Sequence, residues 1–460
     1  MRIHFAGGGL TTEYIAKRLT REGHDLVIVE KDERRCTHLQ ETLYARIVHG
    51  DIAHIALWQD ADLASTELFI AGTHSDPGNV SACLIAHHFA PQAPKLVRIR
   101  SSDYRDWEQI FADLNVRIDR IIHPEADIVA RVLRVLHMPG VADVRNFLDD
   151  RAKVFSMNVP QGHAFAGLRM DEFRQLPVAW HSRICLILKG TEAIVPRDEQ
   201  LIGVDDHIYV ATPTEELGRT LDEFGINRRQ RLHRVFIVGG GEIGLELARA
   251  LEQEKVHVKL FEIDPQRADI LADALPGTLV LNQNGIDQEI LLREEIAGAD
   301  AFVALTGDDD DNLIACLLAR RLGVEKVVPL LNRLNFLPLA QRLGINTTVS
   351  PRVKSADVLL EYIRRGAVHS VRTLGEEKAE ALELVVPERA FFVDQPLGQV
   401  RFPAGVCLAF VDDGNGRPRI PAEDDIVRAG DRVVLFALET AVRAFEDAIT
   451  PTTLFRRRFG

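Results

Sequence analysis

The residues with the clearest chemistry are three glycines and a carboxylate. Gly239-x-Gly241-x-x-Gly244 follows the apolar run Val235-Phe236-Ile237-Val238, and Glu262 stands 18 residues beyond Gly244. A glycine directly after a strand lets the chain turn into a helix. The second lets backbone approach a pyrophosphate, and the third lets helix and strand pack closely. Phosphates placed there meet the unpaired amides of the helix N-terminus. A carboxylate closing the next strand accepts from ribose hydroxyls. The spacing therefore predicts a nucleotide or dinucleotide site. Glu262 would repel a 2′-phosphate, and Ile263 and Asp264 bring no cation, so unphosphorylated dinucleotides and adenosine nucleotides remain. The carboxylate does not separate those two.

A weaker copy opens the chain. Gly7, Gly9 and Glu30 repeat the pattern, but Thr12 stands where the third glycine belongs. Its side chain would spread the helix–strand contact unless the helix is displaced, leaving either a nucleotide site or a scaffold. At the mouth of the second copy, Thr306 could donate to a ribose or nicotinamide edge, and Thr73 answers it in the first. The run Asp308 to Asp311 lacks the alternation and distal glutamate of a calcium loop. It reads as a cap for the next helix rather than a metal site. Arg98 and Arg100, with Asn332 and Arg333 in the second half, could reach a phosphate bidentately or hold a domain interface.

The elements that must position these groups occur twice. Gly7 and Gly239, and Glu30 and Glu262, are each 232 residues apart, while Asn79 and Asn312, and Cys83 and Cys316, are 233 apart. So long an offset means duplicated domains, not a solenoid. In each half short strands alternate with helical patterns, which specifies an α/β fold with a parallel sheet and helices on both faces. Strands are expected near 2–6, 25–30, 46–50, 67–72, 95–100 and 120–122, and again near 234–238, 257–262, 278–282, 300–305, 326–331 and 347–349. After each sheet an amphipathic helix, 125–137 or 353–365, should leave the Rossmann body. Short strands and acidic turns then predict small α+β domains. The expected order is a Rossmann-like domain at 1–124, a crossover helix at 125–145 and a small domain at 146–222. A second Rossmann-like domain at 223–350, crossover helix at 351–369, small domain at 370–450 and tail at 451–460 follow.

Composition narrows the function. With 46% hydrophobic and 27% charged residues, the 460-residue chain should fold as a globular protein of several domains. No apolar run approaches the roughly 18 residues needed to span a bilayer, and Ile3 to Ala6 feeds into glycines rather than a signal-peptide core. The five cysteines have no CxxC spacing, so they read as small buried residues in a reducing compartment. A formal charge of −13 disfavours nucleic acid as a main partner. Arg228, Arg229, Arg231 and Arg234 read as a solvated linker. His163, His181 and His207 are isolated from any nucleophile, and adjacent His87 and His88 cannot both face one pocket. Without a visible acid–base constellation, a chain that presents a nucleotide loop twice suggests a sensor, not an enzyme. A soluble NAD-dependent oxidoreductase and a nucleotide-binding scaffold without a transport partner remain the alternatives.

Gly239-Gly240-Gly241-Glu242-Ile243-Gly244, Phe261-Glu262-Ile263-Asp264 and Ala304-Leu305-Thr306-Gly307-Asp308 resemble the TrkA family, the regulatory subunits of Trk potassium-uptake systems. Ser350-Pro351-Arg352-Val353-Lys354-Ser355-Ala356 and Ile363-Arg364-Arg365-Gly366 extend the resemblance over essentially the whole chain. It implies duplicated regulator-of-potassium-conductance (RCK) domains that bind NAD(H) and adenine nucleotides, ATP or ADP. It also implies a cytoplasmic protein, peripheral on the inner face of the membrane, that forms a ring and gates a TrkH/TrkG-like potassium-translocating subunit. The glycine-loop and ribose roles carry over to Gly239, Gly241, Gly244 and Glu262, and in the first repeat to Gly7, Gly9 and Glu30. Thr12 departs from the family pattern.

Overall fold

The computed structural model describes all residues except 101–108, 110, 112–115, 139, 191, 227–231, 334, 346, 364–367, 376–377, 415 and 450–460. Arg228, Arg229 and Arg231, the stretch 364–366 and the tail 451–460 thus lie outside the described residues. The first apolar segments form β1 (Arg2–Ala6), β2 (Asp25–Glu30), β3 (Arg46–His49), β4 (Leu68–Ala71), β5 (Lys95–Arg98) and β6 (Arg120–Ile122). They make one parallel sheet ordered β3-β2-β1-β4-β5-β6. The order reverses between β1 and β4, so the crevice beyond their carboxyl ends is the topological switch point where such sheets take ligands.

An antiparallel sheet follows, built from β7 (Asp143–Phe147), β8 (Ala152–Asn158), β9 (Arg183–Lys189), β10 (Glu192–Ile194) and β11 (His207–Pro213). The second parallel sheet comprises β12 (Arg234–Val238), β13 (His257–Phe261), β14 (Leu279–Leu281), β15 (Ala301–Ala304) and β16 (Lys326–Pro329), ordered β14-β13-β12-β15-β16. Its expected sixth strand at 347–349 is only an isolated bridge between Leu330 and Val349. Leu331 N donates to Val349 O and Val349 N to Pro329 O, but Thr347 turns its hydroxyl to Ala142 O, 3.1 Å away, and the ladder stops. The last sheet is antiparallel, with β17 (Val368–Leu374), β18 (Ala379–Val385), β19 (Val406–Asp412) and β20 (Arg432–Leu438), closed by the helix Glu439–Ile449.

Alternation along β12 explains the two-faced burial of its sheet. Val235 and Ile237 enter one apolar core while Phe236 and Val238 enter the other. The first of these cores also takes Ile128, Val129, Val132 and Leu136, from the helix Pro124–Leu136. These helix residues thus pack against the sheet of the second glycine turn.

The chain divides into two compact units, residues 1–127 with 351–359, and residues 128–350 with 360–460. Within the second unit the two antiparallel sheets share a core: Phe147, Val154, Leu186 and Tyr209 pack with Ala381, Phe410, Val434 and Phe436. Arginines fasten its rim. Arg183 Nη1 donates to Leu408 O at 2.8 Å, Arg145 Nη1 to Thr373 O at 2.9 Å, and Arg151 pairs with Asp412.

Candidate functional site

At the second glycine turn the backbone states its own requirements. Gly239 has φ +101°, a left-handed conformation that disfavours side chains, and its N–H donates to Phe261 O at 2.9 Å. A Cβ on Gly244 would lie 2.1 Å from Gly239 O, so only glycine lets this helix sit so close to the turn. A Cβ on Gly241 would meet nothing within 4 Å. That open space lies where a pyrophosphate would approach.

The helix Glu242–Gln253 starts at Gly241 with no side-chain cap. Its neighbours are capped: Asp264, Asp287 and Asp308 each accept from amides of the helices they begin. Unlike those three, the glycine helix presents first amides that no side-chain cap engages, which is the arrangement an anion uses. Glu242 and Ile243 contribute those amides together with Gly244. Glu262 flanks the loop, with Oε2 accepting from Gly240 N at 2.8 Å and Oε1 from Asp264 N at 2.9 Å. The carboxylate therefore braces the loop, and lone pairs remain on it.

The first turn repeats this construction. Gly7 has φ +98° and donates to Val29 O at 2.8 Å, Gly8 N donates to Glu30 Oε2 at 2.6 Å, and Gly9 begins the helix Leu10–Arg21 uncapped. Thr12 is buried at 3% exposure. Because a Cβ at the matching Gly244 would strike backbone, the first helix cannot sit on its turn as the second does.

Two candidate donors already have partners of their own. Thr306 is not a free donor: its hydroxyl donates to Asn312 Oδ1 at 2.8 Å, and its N–H does so at 2.8 Å. Thr73 is spent in the same way on Asn79, at 2.7 and 2.8 Å. Arg100 is half exposed: its side chain lies 3.5 Å from Glu125 Oε1, which Arg98 Nη2 also reaches at 3.1 Å, at the start of the helix Pro124–Leu136. Ile263 and Asp264 indeed bring no cation, but Arg267, one turn into the next helix, donates from Nε to Gly240 O at 2.8 Å.

Asp308 caps its helix through Asp310 N and Asp311 N. Asp309, at 3% exposure, accepts from Asn332 N at 2.9 Å and locks the exit of β16. Arg333 pairs with Asp310 at 2.5 Å.

Sequence reasoning missed three things. Arg35 and Arg267 both reach their loop's carbonyl, Arg35 Nη2 donating to Gly8 O at 2.6 Å; their 232-residue offset was a signal open to notice. Gly240 is crowded too: a Cβ there would lie 2.2 Å from Leu271 Cδ1 and 2.9 Å from Glu262 Oε2, so those side-chain ends would have to shift. Asn79 and Asn312, both fully buried, were visible only as repeat markers. Each ties the mouth of its fourth strand to its fifth, Asn312 Nδ2 donating to Thr306 O at 3.0 Å and Leu330 O at 2.9 Å.

The two turns also differ in charge. Glu13 Oε1 accepts from Lys17 at 2.7 Å and lies 3.1 Å from His38, while Oε2 lies 3.2 Å from Arg35. Burial alone would raise its pKa, but the hydrogen bonds from Lys17 and His38 hold it at about 2. Leu245 occupies the matching place in the second copy. The isolated histidines have separate tasks: His163 Nε2 contacts Phe224 O at 3.1 Å, and His181 sits 3.1 Å from Glu223. His207 Nδ1 lies 2.5 Å from Asn158 Oδ1. Among the described residues no helix is long and apolar enough to cross a membrane.

Known proteins carry the same pattern. The TrkA-N domain family matches residues 3–124 and 235–351, and the TrkA-C domain family matches residues 381–450. The chain is 31% identical to the Trk system potassium uptake protein TrkA of Haemophilus influenzae, over 99% of this chain and 100% of that protein. Its identity to the TrkA protein of Azorhizobium caulinodans is 30%, over 97% and 98%. Among solved structures, the GsuK RCK domain superposes with a TM-score of 0.62 at 18% identity, covering 97% of this chain and 94% of that one. The GsuK channel bound to NAD superposes with the same TM-score, covering 97% and 78%. With two glycine turns on two parallel sheets, each followed by a small antiparallel domain, and full-length relatives of the same order, the chain belongs to the TrkA family of nucleotide-binding regulatory proteins.

Proposed function

We propose that the chain senses NAD(H) and adenine nucleotides and, through them, gates a membrane potassium-uptake assembly. The observation that carries this reading is the uncapped helix at Gly241, braced by Glu262 and recurring at Gly9 with Glu30. Gly239, Gly241, Glu242, Ile243 and Gly244 hold the pyrophosphate, and Glu262 takes the ribose. Gly7, Gly9 and Glu30 form the second, altered site. Thr73, Thr306 and Arg100 act behind the ligand, fixing the strand ends and helix start that shape each mouth.

The partner is an integral membrane potassium-translocating subunit of TrkH/TrkG type, on whose inner face copies of this chain assemble as a ring. Relatives named as potassium-uptake proteins over their whole length support this, as does the likeness to a channel's RCK domain. The division at 1–124, 146–222, 223–350 and 370–450 gives two nucleotide domains, each with its own small domain. A ligand gates only through unequal affinity for two assembly states, and duplication lets the two sites differ. Potassium flux through the reconstituted partner, with and without this chain and across NAD⁺, NADH, ADP and ATP, tests the proposal. Flux indifferent to every nucleotide while calorimetry shows them bound would refute the gating role. Absence of binding would refute the site.

A further inference from the structure

The sequence separates Cys185 and Cys407 widely, but the fold brings them together. Cys185 lies on β9 and Cys407 on β19, one from each small sheet, and both border the core those sheets share. Residues of β9 and β19 approach within 8 Å between Cα atoms, and Arg183, two residues before Cys185, donates to Leu408 O, next to Cys407, at 2.8 Å. The Cys185 thiol donates to Arg183 O at 3.4 Å, and the two sulfurs are near enough to perturb each other's acidity. Cys185 is fully buried while Cys407 is partly buried, so Cys407 is the more accessible member of the pair.

We propose that Cys185 and Cys407 form an oxidisable pair that closes to a disulfide, joining the two small sheets when the protein meets peroxide. A disulfide spans Cα atoms about 4.4–6.8 Å apart, a separation that two strands packed on one core can reach. The neighbouring Cys185 and the nearby Arg183 charge favour the Cys407 thiolate, and the thiolate is the nucleophile. It attacks one peroxide oxygen, the O–O bond breaks, and Cys407 becomes a sulfenic acid as the other oxygen leaves as hydroxide, which takes a proton from solvent to become water. Cys185 sulfur then attacks the Cys407 sulfur, an S–S bond forms, and the sulfenic oxygen leaves as a second water carrying the Cys185 proton. Two thiols are oxidised and one peroxide is reduced.

The other cysteines are poor competitors. Burial pushes Cys83 up to about 12 and raises Cys316 as well, and burial beside Glu30 raises Cys36. A closed disulfide would fix β9 to β19 and hold the small domains in their present packing, whatever nucleotide is bound.

The test treats the reduced, full-length protein with hydrogen peroxide, blocks remaining thiols with an alkylating reagent and maps the peptides without reductant. The expected result is a Cys185–Cys407 linked pair, with Cys36, Cys83 and Cys316 recovered as thiols. Dithiothreitol should reverse the link, and the melting temperature should rise only while it is closed. Cys407→Ser and Cys185→Ala should each abolish both effects. Cys407 recovered as a sulfinic acid beside a free Cys185 would overturn the proposal. So would uniform oxidation of all the cysteines. Both results are read on the wild-type chain, so they do not depend on either variant folding.

Discussion

Adding one methyl group at Gly244 and one at Gly241 should give opposite failures. In Gly244→Ala the new carbon would lie 2.1 Å from Gly239 O and 3.2 Å from Gly239 C. A carbon–oxygen contact normally sits near 3.3 Å, so helix and turn must part by about 1 Å. Overpacking of this kind costs about 1–3 kcal/mol, offset by up to about 1 kcal/mol of helix propensity. The expected net effect is a loss of about 0–2 kcal/mol, seen as a melting transition a few degrees lower. The same 1 Å displaces the helix amides from the pyrophosphate. Losing one charge-assisted hydrogen bond at about 1.5–3 kcal/mol weakens NADH by about 10- to 150-fold. In Gly241→Ala the methyl meets no protein atom within 4 Å, and the backbone, at φ −63° and ψ −173°, accepts alanine. Stability should hold, or rise by up to about 1 kcal/mol through a stiffer unfolded chain, while the methyl fills the phosphate space and binding is lost. Thermal denaturation and calorimetric titration with NADH, run on both variants, separate the outcomes. Wild-type stability and affinity in Gly244→Ala would refute the close-approach argument. Wild-type affinity in Gly241→Ala would show that the pyrophosphate is held elsewhere.

Glu262→Ala should weaken nucleotide binding by about 10- to 150-fold, from the loss of a charged ribose acceptor. Because it also frees Gly240 N and Asp264 N, faster amide exchange at those positions should accompany it; unchanged exchange would show that the carboxylate does not brace the loop. Asn312→Ala strands several partners at a fully buried position and should cost about 2–4 kcal/mol; a loss under about 1 kcal/mol in denaturant unfolding would contradict this. Burial lowers the His207 pKa to about 4, against 6.5 for an unperturbed histidine. The unfolded chain then binds the proton more readily, so this residue's contribution is complete above pH 6.5 and is lost as pH falls toward 4. The loss is at most about 3 kcal/mol, less because the ring is only partly buried, and His207→Gln should flatten that part of the stability–pH curve. Thr12→Gly removes the buried Cβ that keeps the first helix off its turn, and nucleotide affinity of the first copy should rise; an unchanged titration would show that Thr12 does not limit that site.

Much of this protein is decided by local chemistry. Gly239 needs a left-handed φ and Gly244 an absent Cβ, requirements that act within one turn of chain and leave a readable spacing. The same holds for the Asp308 cap, which reaches only two and three residues ahead. Strands with both faces buried read as short apolar runs, so both parallel sheets and their duplication were legible too. What sequence could not decide is which side chains come to pair. Thr306 reads as a free hydroxyl until Asn312, six residues on, accepts its hydrogen bond, and Arg100 reads as a phosphate or interface residue until Glu125 arrives beside it. The helix Pro124–Leu136 announces an apolar stripe, but any apolar surface would satisfy that stripe; only the assembled core of β12 and its neighbours selects one. The Cys185–Cys407 pair has no spacing to announce it at all. Hydrophobic burial carries no address and a hydrogen bond requires one, so periodicity disclosed the elements while their side-chain partners awaited the tertiary fold.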